Sequence, residues 1–174
     1  MDIATQFLSR SRHYLGVEYP TKIRHCLRVL PPGAEWWRGN EQSNSIGNLL
    51  VHLSGNVRQW IVSSIGGAPD QRFRAAEFQL RDGEEREVLF ARLRATLDEA
   101  DGVIASLTPA RLLERVTVQG RDVSVLDAVY HVVEHFALHT GQIVLLTKAA
   151  VPGRISFYED AGGLAIPRWA DERS

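Results

Sequence analysis

In the segment HVVEHFALHTGQI, His131, His135 and His139 stand at four-residue steps. A neutral imidazole is a good ligand for borderline divalent ions such as zinc or nickel, and it is equally an ordinary hydrogen-bonding core residue. Helical geometry narrows the choice. At about 100° per residue, Val125, Val129, Val132, Val133, Phe136, Ile143 and Val144 define one apolar direction. His139 lies roughly 55° from it, His135 roughly 95° and His131 roughly 135°. Positions i and i+4 rise only about 6 Å apart, so two imidazoles can meet on one ion, whereas 131 and 139 are separated by about 12 Å. His135 and His139 are therefore the expected ligand pair, and His131 is left as a supporting or rim residue.

Two imidazoles rarely hold such an ion unaided, so a third ligand must come from elsewhere. His52 is the best placed. It sits in a helical stripe with Ser45, Asn48, Asn56, Gln59 and Ser63, and between Gln42 and Pro69 the single charged residue is Arg58. A solvated helical face would carry Lys and Glu, so an uncharged polar stripe implies close packing or a lined pocket. Asn56, one turn beyond His52, and Gln142, three residues beyond His139, are within reach to hydrogen-bond the ligands. His13 and His25 read as structural or surface histidines.

The elements that must position these residues are four amphipathic helices. Residues 2 to 30 carry Ile3, Phe7, Tyr14, Leu15, Ile23, Leu27 and Leu30, with Gly16 and Pro20 predicting a break. A second helix is capped by Asn44 or Ser45 and runs to Gly66-Gly67. Residues 66 to 81 turn polar and basic and read as a surface connection. The third helix spans 84 to 107. Residues 116 to 124 alternate around Gly120, enough for an extended pair or small hairpin. Ser124 caps the fourth helix, which reaches about Ala150, and an irregular tail follows from about 153. The expectation is an all-α four-helix bundle in a single domain over 1–174, its long 66–82 and 107–123 connections arguing against simple up-down-up-down order.

Composition excludes several classes. Twenty Lys and Arg against 21 Asp and Glu give a net charge of −1, with no electrostatic footprint for nucleic acid or an anionic membrane. There is neither an apolar leader at the start nor a run of about 18 apolar residues, and one cysteine, Cys26, allows no internal disulfide. These features predict a soluble cytoplasmic protein whose Cys26 is a small buried hydrophobe. Extra apolar residues on the outer side of the fourth helix, Tyr130, Leu138 and Leu145, predict a homodimer.

The stretches SNSIGNLLVHLSGNVRQWI and HVVEHFALHTGQI together resemble the DinB-like family of metal-dependent bacterial enzymes, over about residues 1 to 150. The ordered pair H-L-x-G-N and H-x-x-x-H-x-G-Q is far more specific than either motif alone. The resemblance implies an up-down-down-up four-helix bundle in which His52, His135 and His139 bind a divalent metal, with no ligand role for His131. Better-characterised members of the wider family use low-molecular-weight thiols, so it also implies metal-dependent thiol transfer as an activity class.

Three functions compete: a metalloenzyme acting on a small molecule, a non-catalytic metal-binding or stress-associated protein, and a plain bundle with empty histidines. Glu134 and Asp127 project away from the histidines and read as surface charges. Trp36, Trp37 and Arg38 either edge a substrate mouth or cover the end of the core. Arg72 and Arg74 either attract a substrate carboxylate or belong to a solvated loop.

Overall fold

The computed structural model describes residues 2–169. Helix α1, Ile3–His13, begins at Asp2, whose carboxylate accepts from the Thr5 N–H, and passes through a π-helical turn, Tyr14–Glu18, into α2, Tyr19–Val29. The predicted break at Gly16 and Pro20 is thus a wide turn in a continuous helix. Pro20 has no N–H to offer the preceding turn. The Tyr19 N–H reaches back to Tyr14 O, and the orphaned Gly16 carbonyl accepts from Arg94 Nη1 at 2.7 Å. A side chain from another helix completes the backbone bonding.

Helix α3, Ile46–Val57, continues through a π-helical turn, Arg58–Ser63. Ser45 and Asn48 form a reciprocal capping box at its start. The 66–81 segment is not merely a surface connection, because it contains α4, Arg74–Gln79, with Glu77 buried. Helix α5 spans Arg86–Ala105 and α6 spans Val125–Ala150, the latter entered through a capping box of Ser124 and Asp127. Asp127 is exposed, as expected, and caps the helix that carries the histidines.

The molecule is mostly helical, but the all-α expectation needs two additions. Strands β1, Arg115–Val118, and β2, Arg121–Ser124, pair antiparallel. Their two-residue turn, Gln119 (φ 51°) and Gly120 (φ 73°), has the left-handed backbone that matches the twist of a hairpin. The tail expected to be irregular holds a second hairpin, β3 Tyr158–Ala161 with β4 Leu164–Pro167, turning at Gly162 and Gly163. It docks through Trp169, whose ring lies 4.8 Å from Tyr158 and receives Lys22 Nζ at 4.5 Å. Residues 170–174 of that tail lie outside the described residues.

One buried apolar cluster joins the helices, with Leu27, Leu53, Leu93, Phe136 and Ile143 fully enclosed. Helix α3 packs on α5 and α6, α2 on α6, and α1 on α5. Tyr19 stacks on Phe136 at 5.6 Å, and Arg12–Asp101, Arg24–Glu87 and Arg58–Glu99 tie the helices at the surface. Truncating Phe136 to alanine would cost about 3–5 kcal/mol. Trp36 covers the start of α3: a Cβ on Gly47 would lie 2.8 Å from its ring, and its indole N–H donates to Glu84 O. Arg38 donates to Asn48 Oδ1 and Leu80 O, while Trp37 is exposed. Cys26 is buried, which pushes its thiol up to about 12. Among the described residues, no helix is long and apolar enough to cross a membrane.

Candidate metal centre

Helix α3 supplies one histidine and α6 two, and their Nε2 atoms converge. His135 Nε2 lies 3.1 Å from His52 Nε2 and 3.1 Å from His139 Nε2. One nitrogen from each of the three rings can be chosen so that all lie within 4.8 Å of one another. Nitrogens bound tetrahedrally at about 2.0–2.1 Å would stand about 3.3 Å apart, which the two 3.1 Å spacings match, while the His52 and His139 nitrogens would draw together around a shared ion.

Each flank determines which nitrogen carries the proton. His52 is buried, and its Nδ1–H donates to Glu77 Oε2 at 2.7 Å. That bond leaves the Nε2 lone pair facing the other two rings. His139 Nδ1–H donates to Gln142 Oε1 at 2.7 Å with the same result. Two lone pairs thus point at His135 Nε2, which has one site to offer. A proton there can serve only one of them well, whereas a cation serves all three. Burial first, and then the neighbouring imidazoles and Arg72, push the His135 imidazole down to about 3, so it stays neutral and able to ligate. Its Nδ1 is buried and has no hydrogen-bond partner among the described residues.

Glu77 is itself held. Arg72 Nε donates to Glu77 Oε1 at 2.7 Å and Arg72 Nη2 to Oε2 at 2.9 Å, a bidentate pair. Arg72 Nη2 also lies 3.1 Å from His52 Nδ1, but both nitrogens are donors here and the shared carboxylate is their acceptor. Burial raises the Glu77 carboxyl, yet the hydrogen bonds and charges of His52 and Arg72 outweigh it and hold the group below its ordinary range. The support runs outward through Gln59, whose Oε1 accepts from Arg72 Nη1 at 3.0 Å and from Gln119 Nε2 at 2.7 Å. The β1–β2 turn is thereby joined to the histidines. Gly55 makes the approach possible, since a Cβ there would fall on Glu77 Oε1 and within 2.9 Å of Arg72 Nε.

The expected residues sort clearly. The α3 stripe is buried at Ser45, Asn48, His52, Asn56 and Ser63, and Asn48 Nδ2 donates to Glu77 O and Leu80 O, which pins α4 against it. Gln142 supports a histidine as expected. Asn56 does not take up His52; Glu77 does, and Asn56 Oδ1 is buried with no partner among the described residues. His131 packs against Trp60 at a tilt, 4.1 Å between ring centroids, and stays outside the trio, its imidazole lowered chiefly by burial. Glu134 is exposed. His25 Nε2 is hydrogen-bonded to Ser156 O, and His13 lies 3.9 Å from Glu18 at the surface.

Sequence reasoning misses Glu77 altogether and leaves Arg72 open. Their signals are indirect: an uncharged stripe around His52 leaves its orienting carboxylate to be supplied by another segment, and Gly55 marks where that segment comes close.

The fold is DinB-like. A crystal structure of a DinB-like protein, YjoA, from Bacillus subtilis superposes with a TM-score of 0.62, covering 90% of this chain and 99% of that one at 16% identity. That likeness is one of fold. Residues 2–156 match the family described as "Protein of unknown function (DUF1572)", and the chain belongs to that family. No curated protein matches it.

Proposed function

We propose that this protein binds one divalent metal ion, zinc or nickel, through His52, His135 and His139, and uses it as an enzyme acting on a small molecule, with a low-molecular-weight thiol as substrate or co-substrate. The observation that carries the reading is the convergence of three Nε2 atoms, two of them with lone pairs turned inward by Glu77 and Gln142. A divalent ion held by three neutral imidazoles keeps a position open, where it would lower the pKa of a water or thiol. The chain's own residues prepare that position. Glu77 and Gln142 keep protons off the inward nitrogens, and Phe78, 4.6 Å from the His52 ring, shields one side from water. With no acidic ligand in the trio, its positive charge is undiminished.

The helix order we infer is up-down-down-up. Arg12 meets Asp101 and Arg24 meets Glu87, which supports α1–α2 antiparallel to α5. Arg58 meets Glu99, and Gly66 approaches Val103, which supports α3 parallel to α5. Trp60 faces His131 while His52 faces His139, which supports α3 antiparallel to α6. Tyr130, Leu138 and Leu145 are all exposed, and an apolar row of that kind favours a homodimer across the outer face of α6, to be checked by light scattering. A single buried cysteine is in keeping with a cytoplasmic setting.

Elemental analysis of protein purified without a nickel column, followed by turnover assays with thiols and an electrophile, tests the function. Metal with turnover is the expected result. Metal without turnover would leave a non-catalytic metal-binding protein, and absence of metal affinity would leave a plain bundle.

A further inference from the structure

Resting on that reading, we infer that the substrate or thiol bound at this centre carries an anionic oxyacid group, such as a carboxylate, and that Arg74 receives it. The two arginines of the α3–α4 connection differ sharply in what they touch. Arg72 has a side chain only 5% exposed, and its charge is consumed by Glu77. Arg74 is exposed, and among the described residues no carboxylate pairs with it.

Its position is nevertheless fixed relative to the histidines. Arg74 opens α4 and Phe78 lies one turn further on, so the two side chains share a face. The guanidinium sits 4.9 Å over the Phe78 ring. That ring in turn packs 4.6 Å from the His52 ring. A guanidinium lying on an aromatic face keeps its N–H edge free, the geometry that receives a carboxylate in bidentate fashion.

The local charge inventory points the same way. Glu77 and Arg72 pair with each other, and Arg74 is left over. A divalent ion would add to this positive field, so a ligand entering from the Arg74 side gains by bringing negative charge. Arg121 is the control. It is also exposed, but it stands in the β1–β2 hairpin, opposite Val118, and not on α4.

The test uses the full-length protein loaded with cobalt(II), whose visible spectrum reports thiolate binding. The probes are 3-mercaptopropionate and 2-mercaptoethanol, thiols with and without a carboxylate. The wild type should favour the carboxylate-bearing thiol by about tenfold, the effect of one partly solvated charge-assisted contact. Arg74→Met, which keeps a stem to cover Phe78, should erase the preference while retaining cobalt. Arg121→Met should leave the preference intact, and raising the ionic strength should shrink it. Equal affinity for the two thiols in the wild type, persistence of the preference in Arg74→Met, or cobalt bound with no spectral response to either thiol would each overturn the inference while leaving the metal centre standing. Failure of the wild type to bind cobalt would instead bring down the metal reading and this inference with it.

Discussion

The two flanks of the histidine trio reach the same end by unlike means. At His52, a buried carboxylate clamped by a buried arginine holds the ring; at His139, the amide of Gln142 does so at the exposed side. Both leave Nε2 facing inward, but their energetics differ. An ion pair taken out of water is compensated only while both partners are present, and losing one strands a buried charge. An exposed amide can be replaced by solvent. The centre should therefore be rigid and intolerant on its α3–α4 side and forgiving on its outer α6 side.

Breaking the clamp should have the largest effect. Arg72→Ala leaves Glu77 buried without its cation and should destabilise the apo-protein by about 3–5 kcal/mol in urea unfolding. A change below about 1 kcal/mol would mean the two flanks are equivalent. Gly55→Ala comes next, because its methyl group must displace Glu77 and Arg72: about 1–3 kcal/mol of stability and about 10–100-fold in metal affinity should be lost. Gln142→Ala should change stability by no more than about 0.5 kcal/mol, and competition with a chelator should show metal affinity weakened by about tenfold at most.

A comparably small effect belongs to a pair outside the centre, Arg12 and Asp101, which join α1 to α5. The Arg12 hydrogen bond, opposed by partial burial and aided by the Arg12 charge, holds the Asp101 carboxyl below its ordinary range. Since the folded value is the depressed one, the stabilisation is complete above the unfolded carboxyl pKa of about 3.9 and disappears as pH falls through the folded value. Both side chains are substantially exposed, at 43% and 40%. Asp101→Asn should therefore cost under about 1 kcal/mol at about pH 7. Its urea midpoint should converge with that of the wild type in acid; a difference that persists or grows there would contradict this account.

The contrast between the flanks also explains what could be read in advance. His135 and His139 were legible because one helix sets their spacing, and the uncharged stripe with Ser45 at its start identified the face of α3 that carries His52. Glu77 was not legible. It lies in a helix of six residues, too short to impose an apolar period on 66–81, and its burial depends on Arg72, Asn48 and Gly55 rather than on its neighbours in sequence. The continuous first helix was hidden for a related reason: Pro20 predicts a break unless a distant arginine satisfies the Gly16 carbonyl, as Arg94 does. The tail hairpin, by contrast, had a local signal in Gly162-Gly163, whose backbones are both left-handed and form a two-residue turn.

The most direct test of the metal centre is the ion content of single histidine variants, each confirmed as folded, reloaded with one equivalent of zinc and passed through gel filtration. The wild type and His131→Ala should retain close to one ion per chain, while His52→Ala, His135→Ala and His139→Ala should retain little or none. Loss of the ion in His131→Ala with retention in His139→Ala would contradict the account, and would shift the ligand pair on α6 by one turn to His131 and His135.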